Sequence, residues 1–258
     1  MNSRGPKLSV VVPMHNEAQN VAPLVQAVFK ALENCEGTGE LILVDDGSTD
    51  NTFDIIRQLW SKHPNLRGIR HSRGAGQSAA LWTGFKASRG DVIATMDGDL
   101  QNDPADFPAL LRQLQDCDMV CGVRQRRADN LKRRISSAVA RWARKVVLGI
   151  DFTDSGCSLR VFKRSVLELI PPFDGMHRFM PILAQNGGAR VKQLPVSHHP
   201  RIHGHSKYGI WNRLGRGICD LLMVRWYLKR QLGRPASETL ESVQTSEVLP
   251  VQEQLTPN

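Results

Sequence analysis

A chain of 258 residues with 41% hydrophobic side chains is long and apolar enough to bury one α/β-sized core. Its five cysteines are an odd number without metal-type spacing, which argues against a disulfide framework or a structural zinc site, and no apolar run approaches the ~20 residues of a membrane-spanning helix. The net charge of +9 points to an anionic partner, and no signal-type segment stands ahead of the first apolar run, so the expected compartment is the cytoplasm.

Leu8-Ser9-Val10-Val11-Val12 is short and β-branched and reads as a buried strand that empties into Pro13-Met14-His15-Asn16-Glu17. Val21, Leu24, Val25, Val28 and Leu32 then recur at helical spacing. Leu41-Ile42-Leu43-Val44 is a second strand, ending in Asp45-Asp46-Gly47-Ser48-Thr49-Asp50. A helix over residues 52–62 follows, with Asp50 as a candidate N-cap, and residues 66–70 form a short strand. Gly74-Ala75-Gly76 opens a helix that runs through Lys86. That glycine pair lets the backbone approach a ligand, although Gly-x-Gly alone is a weak signal. Val92-Ile93-Ala94-Thr95-Met96 is another strand, and it ends in Asp97-Gly98-Asp99-Leu100-Gln101-Asn102-Asp103-Pro104.

Three apolar strands thus each empty into a polar turn, with helical patterns between them. In a parallel sheet those turns share one edge, where open α/β sheets bind ligands. Asp97 and Asp99, with the carbonyl of Gln101 behind them, offer oxygen ligands to one hard divalent ion. Such an ion commonly keeps waters and takes phosphate oxygens as its other ligands. Alone, Asp-Gly-Asp is equally good turn chemistry. Two further polar strand ends favour a site.

Pro104 fits the first turn of a helix to residue 115, and residues 119–123 form a strand. Residues 124–145 hold nine basic side chains against one Asp, with a basic amphipathic helix over 131–148. A nucleic-acid surface is one reading of such a run. A surface facing anionic lipid is the other. Residues 157–162 and 189–196 are late strands with helices between them. The last helix, 209–232, sets Trp211, Leu214, Ile218, Leu221 and Leu222 along one face, with five Arg and Lys residues and the aromatic Trp226 and Tyr227 around it. It packs on its own domain, lies in a membrane interface, or does both. The tail 234–258 carries four Glu against one Arg, has no aromatic residue, and is expected to be disordered.

Pro-x-x-Asn-Glu, Asp-Asp-Gly-Ser-x-Asp and Asp-Gly-Asp-Leu-Gln-x-Asp-Pro, each after a strand, resemble the motifs of family 2 glycosyltransferases. Asp154-Ser155-Gly156-Cys157-Ser158-Leu159-Arg160 and Arg201-Ile202-His203-Gly204-His205-Ser206-Lys207-Tyr208 are similar to the branch that includes dolichol-phosphate mannosyltransferase and bacterial undecaprenyl-phosphate glycosyltransferases. The resemblance covers residues 7–230 and specifies neither the sugar nor the nucleotide.

That resemblance implies a GT-A type α/β fold, a mostly parallel central sheet flanked by helices. It implies a nucleotide diphosphate sugar as donor, a polyprenyl phosphate as acceptor, and Mg²⁺ or Mn²⁺ held by Asp97, Asp99 and Gln101. Asp46 is expected at the nucleoside, with Pro13, Asn16, Glu17 and Gly76 lining the same pocket. Arg201 and Lys207 match a loop that closes over the donor diphosphate. Arg124, Lys132 and Ser136 match the acceptor-phosphate site, and Arg133 or Arg134 is an alternative register for Lys132. Asp154 faces the reacting centre, orienting sugar or acceptor or, as the weaker option, taking a proton. Residues 1–233 form the expected catalytic domain, peripheral on the cytoplasmic face of a membrane through an anionic surface or a small membrane-anchoring partner. A transferase that glycosylates a saccharide hydroxyl is the alternative enzyme. A non-catalytic basic membrane- or nucleic-acid-binding protein is the alternative class, and it leaves the three acidic turns unexplained.

Overall fold

The computed structural model describes residues 7–124, 141, 144–154, 156–200 and 210–230, without the side chains of 210–216. The strands are β1 (Leu8–Met14), β2 (Gly39–Asp45), β3 (Leu66–Arg70), β4 (Val92–Thr95), β5 (Met119–Arg124), β6 (Arg160–Lys163) and β7 (Val191–Val196). The α-helices are α1 (Ala18–Glu33), α2 (Thr52–Trp60), α3 (Gln77–Ala87), α4 (Phe107–Gln113), α5 (Met180–Asn186) and α6 (Ile210–Arg230).

One seven-stranded sheet runs in the order β3-β2-β1-β4-β6-β5-β7. The pairs β1–β2, β1–β4, β2–β3 and β5–β7 are parallel, whereas β6 is antiparallel to both β4 and β5. An antiparallel strand between them leaves β4 and β5 pointing the same way. The turns after β1, β2, β4 and β5 therefore all emerge on one edge, as expected for the first three.

The apolar runs are continuous because both faces of the sheet are covered. Val10, Val12, Leu41 and Leu43 face one core layer with α1, while Val11, Ile42 and Val44 face the other with α3. Fully burying a Val or Leu contributes about 1.5–3 kcal/mol, so these two strands anchor the fold. Phe85 of α3 meets Phe162 of β6 edge-on at 5.6 Å, joining the first half of the chain to the second.

Several boundaries differ from the sequence reading. The helix expected from Pro104 is broken into a 3₁₀ turn (Pro104–Asp106), α4 and a second 3₁₀ turn (Leu114–Asp116). The strand expected at 157 starts at Arg160, because the Cys157 N–H turns back to the Asp154 carbonyl at 3.2 Å. The helix expected over 131–148 is described only at residues 141 and 144–148, which are helical. The tail 234–258 lies outside the described residues.

In α6, Leu221, Tyr227 and Leu228 pack on the second core layer around the fully buried Val224. Ile218 and Leu222, expected on the same face as Leu221, instead point outward with Trp226. No helix among the described residues is long and apolar enough to cross a membrane.

Candidate active site

The turns after β1 and β2 are tied to each other, and to the 74–76 turn after β3, mainly through main-chain N–H groups. Asn16 adopts a left-handed conformation (φ 54°), its N–H donates to Ser48 Oγ at 2.8 Å, and its Oδ1 accepts from the Thr49 N–H at 2.8 Å. Asp50 accepts from the Thr52 N–H at 3.0 Å and from the Ala18 N–H at 3.3 Å, so it pins the starts of α1 and α2 together. Asn51, not Asp50, holds the N-cap position of α2. Glu17 accepts from the Asn20 side chain at the start of α1.

Asp46 is the hub. Its carboxylate accepts from the Ala75 N–H (2.8 Å) and the Gly76 N–H (2.7 Å) and meets His71 Nδ1 at 2.8 Å. Burial pushes this carboxyl up, but the bonds from Ala75, His71 and Gly76 outweigh it and hold it below the usual carboxylate range. Gly76 sits at φ 95°, a conformation that favours glycine, at the N-terminus of α3. Asp46 therefore shapes the glycine turn. Close packing continues at Gly98, where a Cβ would strike Met14 Sδ and lie 3.3 Å from the Pro13 carbonyl. The residue between the two acids must be glycine for the first and fourth strand ends to touch.

Asp97 and Asp99 follow β4, and Asp99 is buried. Burial, then the neighbouring Asp99 charge, raises the Asp97 carboxyl, while Arg160 and Arg124 oppose the shift. Asp97 Oδ1 accepts from Gln77 Nε2 at 2.8 Å, a partner the sequence reading missed. Leu100 is the second non-glycine residue at positive φ (61°) among the described residues. Two crowded carboxylates with hard oxygen donors fit a divalent cation, and no third His, Cys, Asp or Glu among the described residues joins them. An ion held by two carboxylates would need its remaining ligands from phosphate and water, a pattern that suits Mg²⁺ or Mn²⁺. The Gln101 amide nitrogen reaches toward the His199 carbonyl (3.4 Å), and the His199 N–H donates to the Gln101 carbonyl at 2.8 Å. The chain entering the Arg201–Lys207 segment is thereby fixed to this turn, although Arg201 and Lys207 themselves lie outside the described residues, as do Lys132, Arg133, Arg134 and Ser136.

At the end of β5, Arg124 and Asp154 form a two-pronged ion pair, Nε to Oδ2 at 2.7 Å and Nη2 to Oδ1 at 2.8 Å. The resemblance implies separate tasks for them, and the fold puts them against each other. Behind the edge, Ser78 Oγ bonds His177 Nδ1 (2.7 Å) and accepts from the Gly175 N–H (2.9 Å), linking α3 to the turn before α5.

The Glycosyl transferase family 2 profile matches residues 9–170. The chain is 41% identical over 229 residues to dodecaprenyl-phosphate galacturonate synthase of Rhizobium johnstonii, covering 86% of this chain and 68% of the relative. It is 35% identical over 213 residues to undecaprenyl-phosphate 4-deoxy-4-formamido-L-arabinose transferase of Aeromonas hydrophila, covering 81% and 65%. It thus spans about two thirds of the length of these curated relatives. Among solved structures it is similar to a mannosyltransferase from Pyrobaculum calidifontis in complex with GDP-Man and Mn²⁺ (TM-score 0.61, 20% identity, 91% and 67% covered). It is also similar to glucosyl-3-phosphoglycerate synthase from Mycobacterium tuberculosis in complex with Mg²⁺ and UDP (TM-score 0.62, 22% identity, 86% and 79% covered). At those identities the structural likeness speaks for the fold, and the sequence matches speak for the family. The chain belongs to glycosyl transferase family 2, in the branch whose relatives are named for dodecaprenyl- and undecaprenyl-phosphate sugar transfer.

Proposed function

We propose that this glycosyltransferase moves a sugar from a nucleotide diphosphate sugar to a polyprenyl phosphate, in a metal-dependent, inverting single displacement. The observation that carries this reading is one edge bearing two chemistries. A carboxylate pair, Asp97 and Asp99, follows β4, and a guanidinium, Arg124, ends β5 within electrostatic reach of Asp97. The curated relatives are named for this type of acceptor.

When bound, a divalent ion neutralises the charge that develops on the leaving diphosphate. Asp97 and Asp99 hold it, with Gln101 at the same turn. Pro13, Asn16, Glu17 and Asp46 shape the nucleoside pocket, and Gly76 brings the backbone of the 74–76 turn alongside. Arg201 and Lys207 close on the diphosphate. Arg124, with Lys132 and Ser136, receives the acceptor phosphate. A lipid phosphate monoester has a second pKa near ~6 and is largely dianionic at neutral pH, so it attacks the anomeric carbon without a strong general base. The site's task is to hold two anions close together, which fixed cations and proximity accomplish.

A lipid acceptor requires a membrane. Ile218, Leu222 and Trp226 form an exposed apolar stripe on α6, flanked by the exposed Arg225, Lys229 and Arg230. Such a helix rests on an anionic surface with its other face on the protein. The enzyme works peripherally on the cytoplasmic leaflet, by this contact or with a small membrane-anchoring partner.

The test is a screen of UDP- and GDP-sugars with undecaprenyl phosphate and dolichyl phosphate, with Mg²⁺, Mn²⁺ or EDTA. Metal-dependent appearance of labelled sugar in the lipid phase is the expected result. Labelled lipid formed equally well in EDTA contradicts the metal role, and no labelled lipid with any donor contradicts the acceptor.

A further inference from the structure

We infer that Asp154 is a positioning residue for Arg124: it grips the guanidinium by one side so that the opposite end faces the acceptor phosphate. This rests on the acceptor reading above and assigns Asp154 a task other than proton transfer. A guanidinium has five N–H donors in a planar fork. The bonds to Asp154 engage the Nε and Nη2 side, at 2.7 and 2.8 Å. Side-on pairing of this kind fixes the plane and the rotation of the group. It leaves the Nη1 N–H groups and the second Nη2 hydrogen aimed along the far end of the fork, a geometry suited to phosphate.

The surroundings are built for this pair. Both side chains are mostly buried, 19% exposed for Arg124 and 8% for Asp154, so the charges hold each other with little screening. Asp154 Oδ2 also lies 3.4 Å from the Arg124 backbone nitrogen, so the carboxylate locks both the stem and the head of the residue. Gly156 lies against the pair: a Cβ there would stand 3.3 Å from Arg124 Nη2 and 3.6 Å from Asp154 Oδ1. The Cys157 N–H donates to the Asp154 carbonyl, which fixes the turn that presents the carboxylate. A carboxylate spent on two bonds to a permanent cation is a poor proton acceptor, and a dianionic acceptor does not require one.

The experiment is a double-mutant cycle on transfer to undecaprenyl phosphate, using Asp154→Ala, Arg124→Ala and the double variant. Donor affinity is measured separately by calorimetry with a nucleoside diphosphate and Mn²⁺. Asp154→Ala is expected to raise the acceptor KM about tenfold, as for loss of one charge-assisted contact, and to leave donor affinity unchanged. In the Arg124→Ala background the same change is expected to have almost no further effect. Asp154→Asn, which keeps the shape and part of the bonding, should fall between. A collapse of kcat at unchanged acceptor KM, or full additivity in the cycle, overturns the inference and makes Asp154 a base or an independent contact. Equal loss of donor affinity and acceptor KM overturns it as well, since the pair would then only hold the fold. Absence of transfer by the wild-type enzyme to any lipid phosphate is a failure of the acceptor reading instead.

Discussion

Around β1, β2 and β3 the turns are joined through backbone N–H groups, Thr49 to Asn16, Ala18 to Asp50, Ala75 and Gly76 to Asp46, whereas around β5 and β6 one side-chain ion pair, Arg124–Asp154, holds the edge. The first arrangement is rigid because the donors belong to the chain itself. The second depends on two charges that a third charge can engage. On the proposed function, a nucleotide diphosphate would meet a pocket built on backbone bonds on one side, and a phosphate monoester would meet a guanidinium held by its carboxylate on the other. Substitutions on the first side should act through stability and donor affinity, and those on the second through acceptor terms.

The largest effect is expected where the two sides meet. Asp99→Ala should lower transfer about 10³-fold or more, the loss of several kcal/mol of transition-state stabilisation, with the circular dichroism spectrum unchanged. Retention of a tenth of the activity would remove Asp99 from the metal site. Next, Arg124→Ala should lower transfer by about 10²-fold, in line with a lost charged contact to phosphate, while calorimetry with nucleoside diphosphate and Mn²⁺ reads wild-type affinity. If donor affinity fell in step, the two sides would be one site.

Asp46→Ala should instead cost roughly 2 kcal/mol in urea unfolding, because it strands the Ala75 and Gly76 N–H groups, and it should weaken donor binding. An unchanged unfolding midpoint would contradict the clamp. A smaller effect lies at the seam between the sides. Burial, together with the Arg178 and Arg160 charges, pushes His177 down to about 3. Its folded value lies below the ordinary 6.5, so the unfolded chain binds the proton first as pH falls. The stability it contributes is full above about 6.5 and is lost as pH falls toward about 3. His177→Gln should flatten the slope of unfolding free energy across that window, and coincident slopes would show that the fold does not hold His177 neutral. The smallest effect concerns α6. Trp226→Ala with Ile218→Ser should weaken co-sedimentation with anionic liposomes severalfold, and the wild-type protein should be released by salt, each basic group near the surface contributing about 1 kcal/mol. Equal binding to neutral vesicles would discard the electrostatic contact.

The turns after β1, β2 and β4 were legible in the sequence because their signals are local. A β-branched run followed at once by acids or amides reads as a strand end, and Asp46, Asp97 and Asp99 lie where that pattern puts them. What Asp46 does was not legible, since the groups it binds return 29 and 30 residues later. Gln77 stayed hidden for the same reason, lying 20 residues from Asp97 with no pattern of its own. On the other side, the direction of β6 is not written in the four residues Arg160-Val161-Phe162-Lys163, so its antiparallel course, and with it the meeting of Arg124 and Asp154, came only from the fold. In α6 the apolar residues lie on more than one side of the helix. Periodicity alone cannot choose which stripe packs, and the one built around Val224 was taken by the core.

Whether the acceptor is a phosphate is decided by offering one accepted nucleotide sugar, with Mn²⁺, to undecaprenyl phosphate, to undecaprenol and to an oligosaccharide in parallel, and following label into each product. Label is expected in the phosphate lipid alone, as a glycosyl phosphate that mild acid cleaves, and it should disappear in Arg124→Ala. Transfer to the alcohol or the oligosaccharide at a comparable rate, with undecaprenyl phosphate left unmodified, would contradict that expectation.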